Sequence, residues 1–402
     1  MKILLAEDER LTRRSLQREL ERWGHEVLAV EDGVAAWDEF QRGQFDMVLT
    51  DWDMPQMDGR ELIERIRANA RESYAYVIML TGRSETQDVV VGMEAGADDF
   101  LAKPWEREEL RVRLSAGERI IGLERRLAEQ NQKLHYSNEQ MHRDLEAAAR
   151  VQQGLLPANL PRMDRLRFAW RYRPCDELGG DLLNVVPISD REVAMYLADV
   201  SGHGVAPSLV SVSVHRSLSV RGDRSSLILV QGESPKEVTA TPPDHVAARL
   251  NALYPMASNG DHFLTLVYAT VDAESLEFTY CAAGHPGPIV VRAGNKTQGL
   301  KTHGPPIGIA SDSKYSTTSI QLQPGDRVYL YSDGLEEAMS PARELFGDDR
   351  IKAVIDQTHG VSLDESIDAL VDAAVAWQGS QDFSDDLSLL ALEVSDGLRP
   401  DD

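Results

Sequence analysis

Acidic residues placed where short apolar runs end are the first feature of this chain that could do chemistry. Near the start, Glu7 and Asp8 follow "KILLA", and Asp51 closes "DMVLT". Thr81 closes "YVIML", and Lys103 follows "DFLA". In a parallel sheet, functional groups gather at the carboxyl ends of the strands, so these five side chains are expected on one edge. Three carboxylates brought together repel one another unless a divalent cation joins them, and Mg²⁺ prefers such oxygen ligands. A carboxylate beside Mg²⁺ and an ammonium can act as a nucleophile toward phosphorus, because metal and lysine neutralise the phosphoryl charge.

A second set of acids lies further along. "ELGGD" carries Asp181, "YLADVSGHG" carries Asp199, "VYLYSDGLEEA" carries Asp333, and "DFSDDLSLL" carries Asp385 and Asp386. From Asp199 onward each site joins an aspartate to an apolar run, which is costly unless the charge is met. Clustered, these acids make an oxygen-only site suited to Mg²⁺ or Mn²⁺, with no soft ligand that would select zinc. Two such ions a few ångströms apart can share a hydroxide and clamp a phosphoryl group for in-line attack. The stretch "DVSGHGVA" by itself admits three readings: a glycine loop for phosphate, a reactive or metal-binding histidine, or a tight turn that presents Asp199. "GGD" and "SDG" alone are ordinary turn wording. His203 and His285 read as turn residues, and the Trp and Met residues as core.

The elements that must position these groups follow from the apolar pattern. "KILLA", "EVLAV", "DMVLT", "YVIML" and "DFLAK" alternate with amphipathic stretches, which predicts five parallel strands in a doubly wound α/β domain. Residues 105–156 form a long polar stretch without proline, in which Ile120, Leu127, Leu134, Met141, Ala148 and Leu155 recur every seven residues. That track predicts a long helix that pairs with another helix. The companion column, Glu124, Asn131, Asn138, Leu145 and Gln152, is mostly polar, which leaves a single solvated helix as the other reading. From about Leu166 to Val394 the runs "REVAMYLADV", "FLTLVYATVD", "LEFTYCAAG", "GPIVVRAG", "DRVYLYSDG" and "LSLLALEV" predict an α+β domain of two packed sheets with helices outside. Residues 223–243 are expected to be a surface loop, and "DGLRPDD" a frayed tail.

Composition narrows the classes of function. The 402 residues exceed one ordinary core, and 42% hydrophobic with 27% charged residues is usual for a globular chain. A net charge of -24 repels phosphate backbones, so nucleic-acid binding is not expected. The two cysteines, Cys175 and Cys281, are widely separated and are expected to be reduced. With no signal-peptide pattern and no apolar run long enough to span a bilayer, the expected location is the cytoplasm, away from the membrane.

On "AEDE", "TDWDMPQMDG", "LTGR" and "LAKP", residues 1–120 resemble a bacterial response-regulator receiver domain. The resemblance implies a flavodoxin-like fold with Asp51 as phospho-acceptor for a sensor histidine kinase. It implies Mg²⁺ held by Glu7, Asp8, Asp51 and the Asp53 carbonyl, a switch hydroxyl on Thr81, a phosphate contact from Lys103, and a switch ring at Phe100. It also places a cis-proline site at Lys103-Pro104. Glu7 departs from the aspartate the family most often has there.

Residues from about 150 to 394 resemble the metal-dependent PPM serine/threonine phosphatases, closest to the bacterial branch of sporulation and stress-response regulators. "VQQGLLP", "HFLTLVYATVD", "AAGHPGP", "GPPIGI" and "LQPGDRVYLYSDGLEEA" carry that likeness together with the four acids in order. The resemblance implies two Mn²⁺ or Mg²⁺ ions on Asp181, Asp199, Asp333, Asp385 and the Val200 carbonyl. Asp199 would bridge both ions, with Asp386 in the neighbouring polar position. No arginine stands at the matching distance before "GGD", and Arg173 is only nearby. The expected division is a receiver at 1–120, a helical linker at 105–156, a phosphatase at 157–394 and a tail at 395–402. The expected activity is hydrolysis of phosphoserine or phosphothreonine on a partner, an anti-sigma-factor antagonist, by a homodimer joined through the linker. The rival expectation is a catalytically weak scaffold of the same fold; a DNA-binding regulator ranks below both, because nothing resembles a helix-turn-helix.

Overall fold

The protein is seen as a computed structural model that describes residues 1–69, 74–82, 86–220, 226–231, 238–292, 297–302 and 304–395. It divides into two compact units, Met1–Gln140 and Met141–Asp402.

In the first unit, β1 (Lys2–Ala6), β2 (Glu26–Val30), β3 (Met47–Asp51), β4 (Tyr76–Thr81) and β5 (Asp99–Ala102) form a parallel sheet in the order β2-β1-β3-β4-β5. Helices α1 (Arg10–Arg22), α2 (Gly33–Arg42), α3 (Gly59–Ala68) and α4 (Thr86–Glu94) connect them. The strands read as unbroken apolar runs because both faces are covered: Leu4, Val48 and Val77 enter one buried cluster, and Ile3, Met47, Leu49 and Ile78 enter the other. Asp32 and Asp58 cap α2 and α3 by accepting from the backbone N–H groups of Ala35 and Glu61. The five expected strands and their parallel order are thus present.

Helix α5 (Arg107–Gln153) has 47 residues, about 70 Å at the usual rise of about 1.5 Å per residue. Its first turns bury Leu110, Leu114 and Ile121 in the first unit. The heptad residues Ile120, Leu127, Leu134 and Met141 are 39–68% exposed, so this part of the apolar column is uncovered among the described residues.

The second unit is a sandwich of two antiparallel sheets. Its strands are β6 (Leu166–Arg173), β7 (Leu182–Pro187), β8 (Glu192–Val200), β9 (Leu229–Gln231), β10 (Val238–Ala240), β11 (Leu264–Asp272), β12 (Glu277–Ala283), β13 (Ile289–Val291), β14 (Gln298–Gly299), β15 (Thr318–Gln321), β16 (Arg327–Tyr331) and β17 (Leu387–Val394). One sheet runs β15-β12-β11-β8-β7, the other β14-β13-β16-β17-β6. The helices are α6 (Val205–Ser217), α7 (Pro243–Leu253), α8 (Asp333–Glu336), α9 (Gly347–Gln357) and α10 (Leu363–Gln378).

Alternation along the strands builds the layers. On β8, Val193, Met195 and Leu197 face the space between the sheets, where Leu390, Leu392 and Val394 of β17 meet them. The intervening Ala194, Tyr196 and Ala198 pack under Val214 of α6 and Val246 and Leu250 of α7. Leu389 and Ala391 pack under Ile351 of α9 and Ile367 and Leu370 of α10. Strand β6, "LRFAWRYR", and β7, "LLNVVP", add to the six runs that the sequence reading picked out.

One expectation needs correction. Part of the stretch expected to be a surface loop, residues 223–243, is an antiparallel ribbon of β9 and β10, in which Leu229, Val230 and Gln231 pair with Ala240, Thr239 and Val238. Short β-branched runs among turn formers are enough for such a ribbon. Residues 223–225 and 232–237 of that stretch, and the "DGLRPDD" tail, lie outside the described residues. Among the described residues no helix is long and apolar enough to cross a membrane.

Leu390 is fully buried between the sheets. Leu390→Ala is expected to cost about 2–5 kcal/mol of stability in the second unit. Urea unfolding followed by tryptophan fluorescence measures it, Trp170 and Trp377 reporting on that unit.

Candidate active site

Two sites are built at strand ends, and each has its own electrostatic solution. In the first unit, Asp51 ends β3, Glu7 and Asp8 follow β1, Thr81 ends β4, and Lys103 follows β5. Glu7, Asp8 and Asp51 are the one trio among the described residues whose ligand atoms all lie within 4.8 Å of one another. Lys103 Nζ donates to Asp51 Oδ2 at 2.7 Å and to Glu7 Oε2 at 2.8 Å. Burial works against a charged lysine, yet the hydrogen bonds to Asp51 and Glu7 outweigh it and raise the Lys103 pKa. Burial raises the Glu7 pKa, with Lys103 offsetting part of the shift. The Trp52 N–H donates to Asp51 Oδ1 at 2.8 Å, which fixes the rotamer. A trio of hard oxygen ligands at this spacing fits Mg²⁺.

The edge around this pocket is equally specific. The Lys103-Pro104 bond is cis, at the expected position. Phe100 is half-buried on β5, and the Arg113 guanidinium of α5 sits 5.5 Å from its ring centroid. Asp53 is exposed in the turn after β3.

In the second unit, Asp199 lies on β8 beside Thr265 of β11, Asp333 opens α8 directly after β16, and Asp385 and Asp386 precede β17. Asp181 stands immediately before β7 and is 4% exposed. These acids act strongly on one another. Burial pushes the Asp199 pKa up to about 8, aided by the charges of Asp333, Asp385, Asp386 and Glu337. Asp333 rises to about 6 through burial, then Asp385 and Glu337. Asp181 is raised well above the carboxylate range by burial and by Asp199 and Asp386. Asp385 rises through burial too, while His203 pulls it down.

Among the described residues this set does not form a trio as tight as Glu7, Asp8 and Asp51. Asp181 Oδ2 is buried with no hydrogen-bond partner among the described residues. An orphaned carboxylate oxygen within a group of mutually repelling acids fits a divalent cation, which would meet both costs.

Asp386 has a clearer part than the sequence assigned to it. Its carboxylate accepts from the N–H of Cys175 at 2.9 Å and of Asp181 at 3.1 Å, so it holds the 174–181 loop. Its own N–H donates to Asp385 Oδ1 at 2.8 Å, and its carbonyl accepts from the Ser332 hydroxyl at 3.0 Å. One residue thus joins the acid loops of β7, β16 and β17.

The glycines answer to close approach. A Cβ on Gly180 would sit 2.5 Å from the Val200 carbonyl oxygen, and one on Gly334 would sit 2.1 Å from the Asp386 carbonyl oxygen. Only glycine lets the "GGD" and "SDG" turns press against their neighbours in this way.

The histidines take supporting places. His203 is exposed, with Nδ1 2.8 Å from Asp176 Oδ2. His285 is buried, with Nδ1 2.6 Å from the Thr265 hydroxyl oxygen, and burial pushes its pKa down to about 3, so it is neutral. Arg173 donates to Gln381, away from the acids. The sequence reading missed Glu337, although its only signal, the "EEA" after "SDGL", was quoted. It also passed over Gln152, which donates to the Gly179 carbonyl at 2.7 Å and to the Ser211 hydroxyl at 3.2 Å. The end of α5 is therefore bonded to the loop that carries Asp181.

A five-stranded parallel domain with this acid–lysine pocket is a receiver domain, and the second unit is a PP2C-type sandwich. The family model described as "Response regulator receiver domain" matches residues 3–115, and that described as "Stage II sporulation protein E (SpoIIE)" matches residues 189–395. The second match covers just over half of the chain, which therefore belongs to the SpoIIE family. The solved structure of the SiaA-PP2C domain of Pseudomonas aeruginosa shares the fold, at a TM-score of 0.52 and 20% identity, over 64% of this chain and 98% of that one. Among curated relatives, phosphoserine phosphatase RsbU of Bacillus subtilis (strain 168) is 27% identical over 66% of this chain and 74% of its own length. Phosphoserine phosphatase RsbP of the same organism is 28% identical over 52% of this chain. The chain spans 48% of the length of RsbP.

Gly180→Ala forces the Asp181 turn away from the Val200 carbonyl. It is expected to weaken Mn²⁺ binding by about 10–100-fold, the usual effect of disturbing the support of a metal ligand. Isothermal titration calorimetry measures the change, with circular dichroism confirming the fold.

Proposed function

We propose that this chain is a response regulator whose output is a metal-dependent serine/threonine phosphoprotein phosphatase. The observation that carries the reading is Asp199: a half-buried carboxylate whose pKa is pushed up to about 8 by desolvation and by the charges of Asp333, Asp385, Asp386 and Glu337, in a SpoIIE-family sandwich. Such a group favours cations over any other occupant. In this reading residues 1–120 are the receiver, 105–156 the linker and 157–394 the phosphatase.

Asp181, Asp199, Asp333 and Asp385, with the Val200 carbonyl, would hold two Mn²⁺ or Mg²⁺ ions. Bound there, the pair supplies a hydroxide nucleophile at neutral pH and a clamp for the phosphoryl oxygens. The chain itself fixes the carboxylates at strand ends and holds the Asp181 loop through Asp386. Phosphate recognition without a dedicated arginine before "GGD" suits a site whose charge comes from its ions.

In the receiver, Asp51 takes the phosphoryl group from a sensor histidine kinase. The phosphorus–nitrogen bond of the donor breaks as a bond forms to an Asp51 oxygen. Glu7, Asp8, Asp51 and the Asp53 carbonyl would hold a Mg²⁺ ion that offsets phosphoryl charge, and Lys103 meets the new charge. Thr81 and Phe100 respond, and α5 carries the change to the Gly179 carbonyl through Gln152. The exposed column Ile120, Leu127, Leu134 and Met141 suits a homodimer through α5. The likeness to the phosphoserine phosphatases RsbU and RsbP supports a phosphoserine substrate, and the resemblance to stress-response regulators narrows the proposal to a phosphorylated anti-sigma-factor antagonist in the cytoplasm.

Phosphate release from a phosphoserine substrate with Mn²⁺ tests the enzyme. Asp199→Asn is expected to lose at least about 100-fold, and equal release by both proteins would overturn the assignment. Regulation is read by adding beryllofluoride and Mg²⁺ while following activity and mass together, with Leu127→Glu expected to lower the mass to that of one chain. No change in activity or mass removes the switch and leaves two independent domains.

A further inference from the structure

His285, in "AAGHPGP", is 1% exposed, and the turn that carries it is fixed from several sides. Gly284 has a φ of 67°, and its N–H donates to the Gly304 carbonyl at 3.0 Å. A Cβ at Gly284 would collide with Pro306. The His285 carbonyl accepts from the Thr302 hydroxyl at 2.9 Å. On this fixed backbone the ring places Nδ1 2.6 Å from the Thr265 hydroxyl oxygen. Thr265 in turn stands directly opposite Asp199 in the β8–β11 register, so the two side chains leave the sheet on the same face. That face buries Leu197 and Val267 between the sheets. No hydrogen bond joins Thr265 to Asp199 among the described residues, although the two are neighbours.

A threonine hydroxyl has one proton to give. A bond from it to a carboxylate is roughly twice as strong as one to a neutral group, so Asp199 is the expected acceptor unless another is built in. His285 is that other acceptor. Burial keeps the ring neutral, so one nitrogen carries a proton and the other accepts. Nε2 is buried without a well-formed bond, and the Tyr331 backbone favours a proton on the ring, as a carbonyl does and an N–H does not. With Nδ1 against Thr265, the proton belongs on Nε2 and Nδ1 accepts from the hydroxyl.

We propose that His285 is a positioning residue for Asp199: it takes the proton of the Thr265 hydroxyl, so that both Asp199 oxygens stay open to cations. A carboxylate that bridges two ions uses both of its oxygens, and a hydroxyl proton on either one competes for the lone pairs that a metal would take. The inference rests on the reading of Asp199 as a metal ligand.

The test uses the full chain. In the parent, nitrogen NMR shifts of the histidine rings are expected to show His285 as the Nε2–H tautomer at neutral pH, with His285→Asn assigning the signal. Mn²⁺ binding is measured by calorimetry against Asp199→Asn, whose remaining binding gives the receiver's share. His285→Leu frees the Thr265 proton for Asp199 and is expected to weaken the phosphatase share about tenfold. His285→Asn keeps an acceptor beside Thr265, and Thr265→Val removes the proton; each is expected to stay within about threefold of the parent. Combining His285→Leu with Thr265→Val also removes the competing proton and is expected to restore the affinity, whereas a packing role for His285 predicts a loss at least as large as in His285→Leu. An Nδ1–H tautomer, parent-like binding in His285→Leu, or no recovery in the double variant overturns the proposal. Where circular dichroism shows His285→Leu unfolded, the tautomer decides, Nε2–H supporting the proposal and Nδ1–H overturning it. Reduced binding in Asp199→Asn beside any of the overturning results sinks this inference alone, whereas undiminished binding in Asp199→Asn sinks the metal-site reading beneath it.

Discussion

Like-charge repulsion at low dielectric is the constraint on which the second unit is organised. Two unit charges 4 Å apart interact by about 4 kcal/mol at an effective dielectric of about 20, so a group of buried aspartates is costly by itself. The fold brings them together regardless, because Asp199, Asp333 and Asp385 are fixed on or beside apolar strands whose two faces are covered. Asp199 cannot leave without breaking the register of β8 against β11, and Asp333 follows β16, itself buried along its whole length. What remains adjustable is the proton count and the cation count. The rise of Asp199 to about 8 and Asp333 to about 6 measures how strongly the site resists full ionisation when no cation is there.

The receiver meets the same difficulty with a different device. Lys103 is built into the pocket and bonds Asp51 and Glu7 directly, so part of the charge is already met. A pocket neutralised in this way can accept a phosphoryl group and release it, which suits a switch. Around Asp199 the neighbouring influences are acids, and His203 opposes them only at Asp385. That arrangement suits ions that stay while phosphate passes through. The two acid groups thus differ in that one has a lysine built into it and the other does not.

Much of this was legible in the sequence because an acid at the end of an apolar run is expensive and therefore informative. The five receiver strands, the length of α5 and the positions of Asp51, Asp199, Asp333 and Asp385 follow from that signal with the apolar periodicity, whereas Asp181, after a glycine pair, was marked only by the family resemblance. Less legible were the residues whose importance comes only from what they meet across the fold. Asp386 read as a polar neighbour, yet it bonds Cys175 and Asp181, more than two hundred positions earlier. Gln152 lay in a quoted motif with nothing local to mark it as a partner of Gly179. The β9–β10 ribbon was hidden because short strands among turn formers have no period long enough to read. Local pattern reports on local cost, and these contacts are not local.

The acids differ in how they are held, and that difference bears on control. Asp199, Asp333 and Asp385 belong to strands of the sandwich core or the turns directly beside them, so moving them would disturb the buried layers. Asp181 ends the 174–181 loop, whose ties are individual hydrogen bonds: Asp386 to the backbone of Cys175 and Asp181, Gln152 to Gly179, and His203 near Asp176. His142 of α5 adds another, with Nδ1 2.8 Å from Glu177 Oε1. Each such bond contributes only about 0.5–1.5 kcal/mol net, or about 1.5–3 where a charge is involved. Exchanging one or two of them is comparable to the 1–3 kcal/mol that typically couples a regulatory site to a functional one. With three acids in or beside the core and one on a loop tied to α5, Asp181 can therefore be shifted from the helix without unfolding the sandwich.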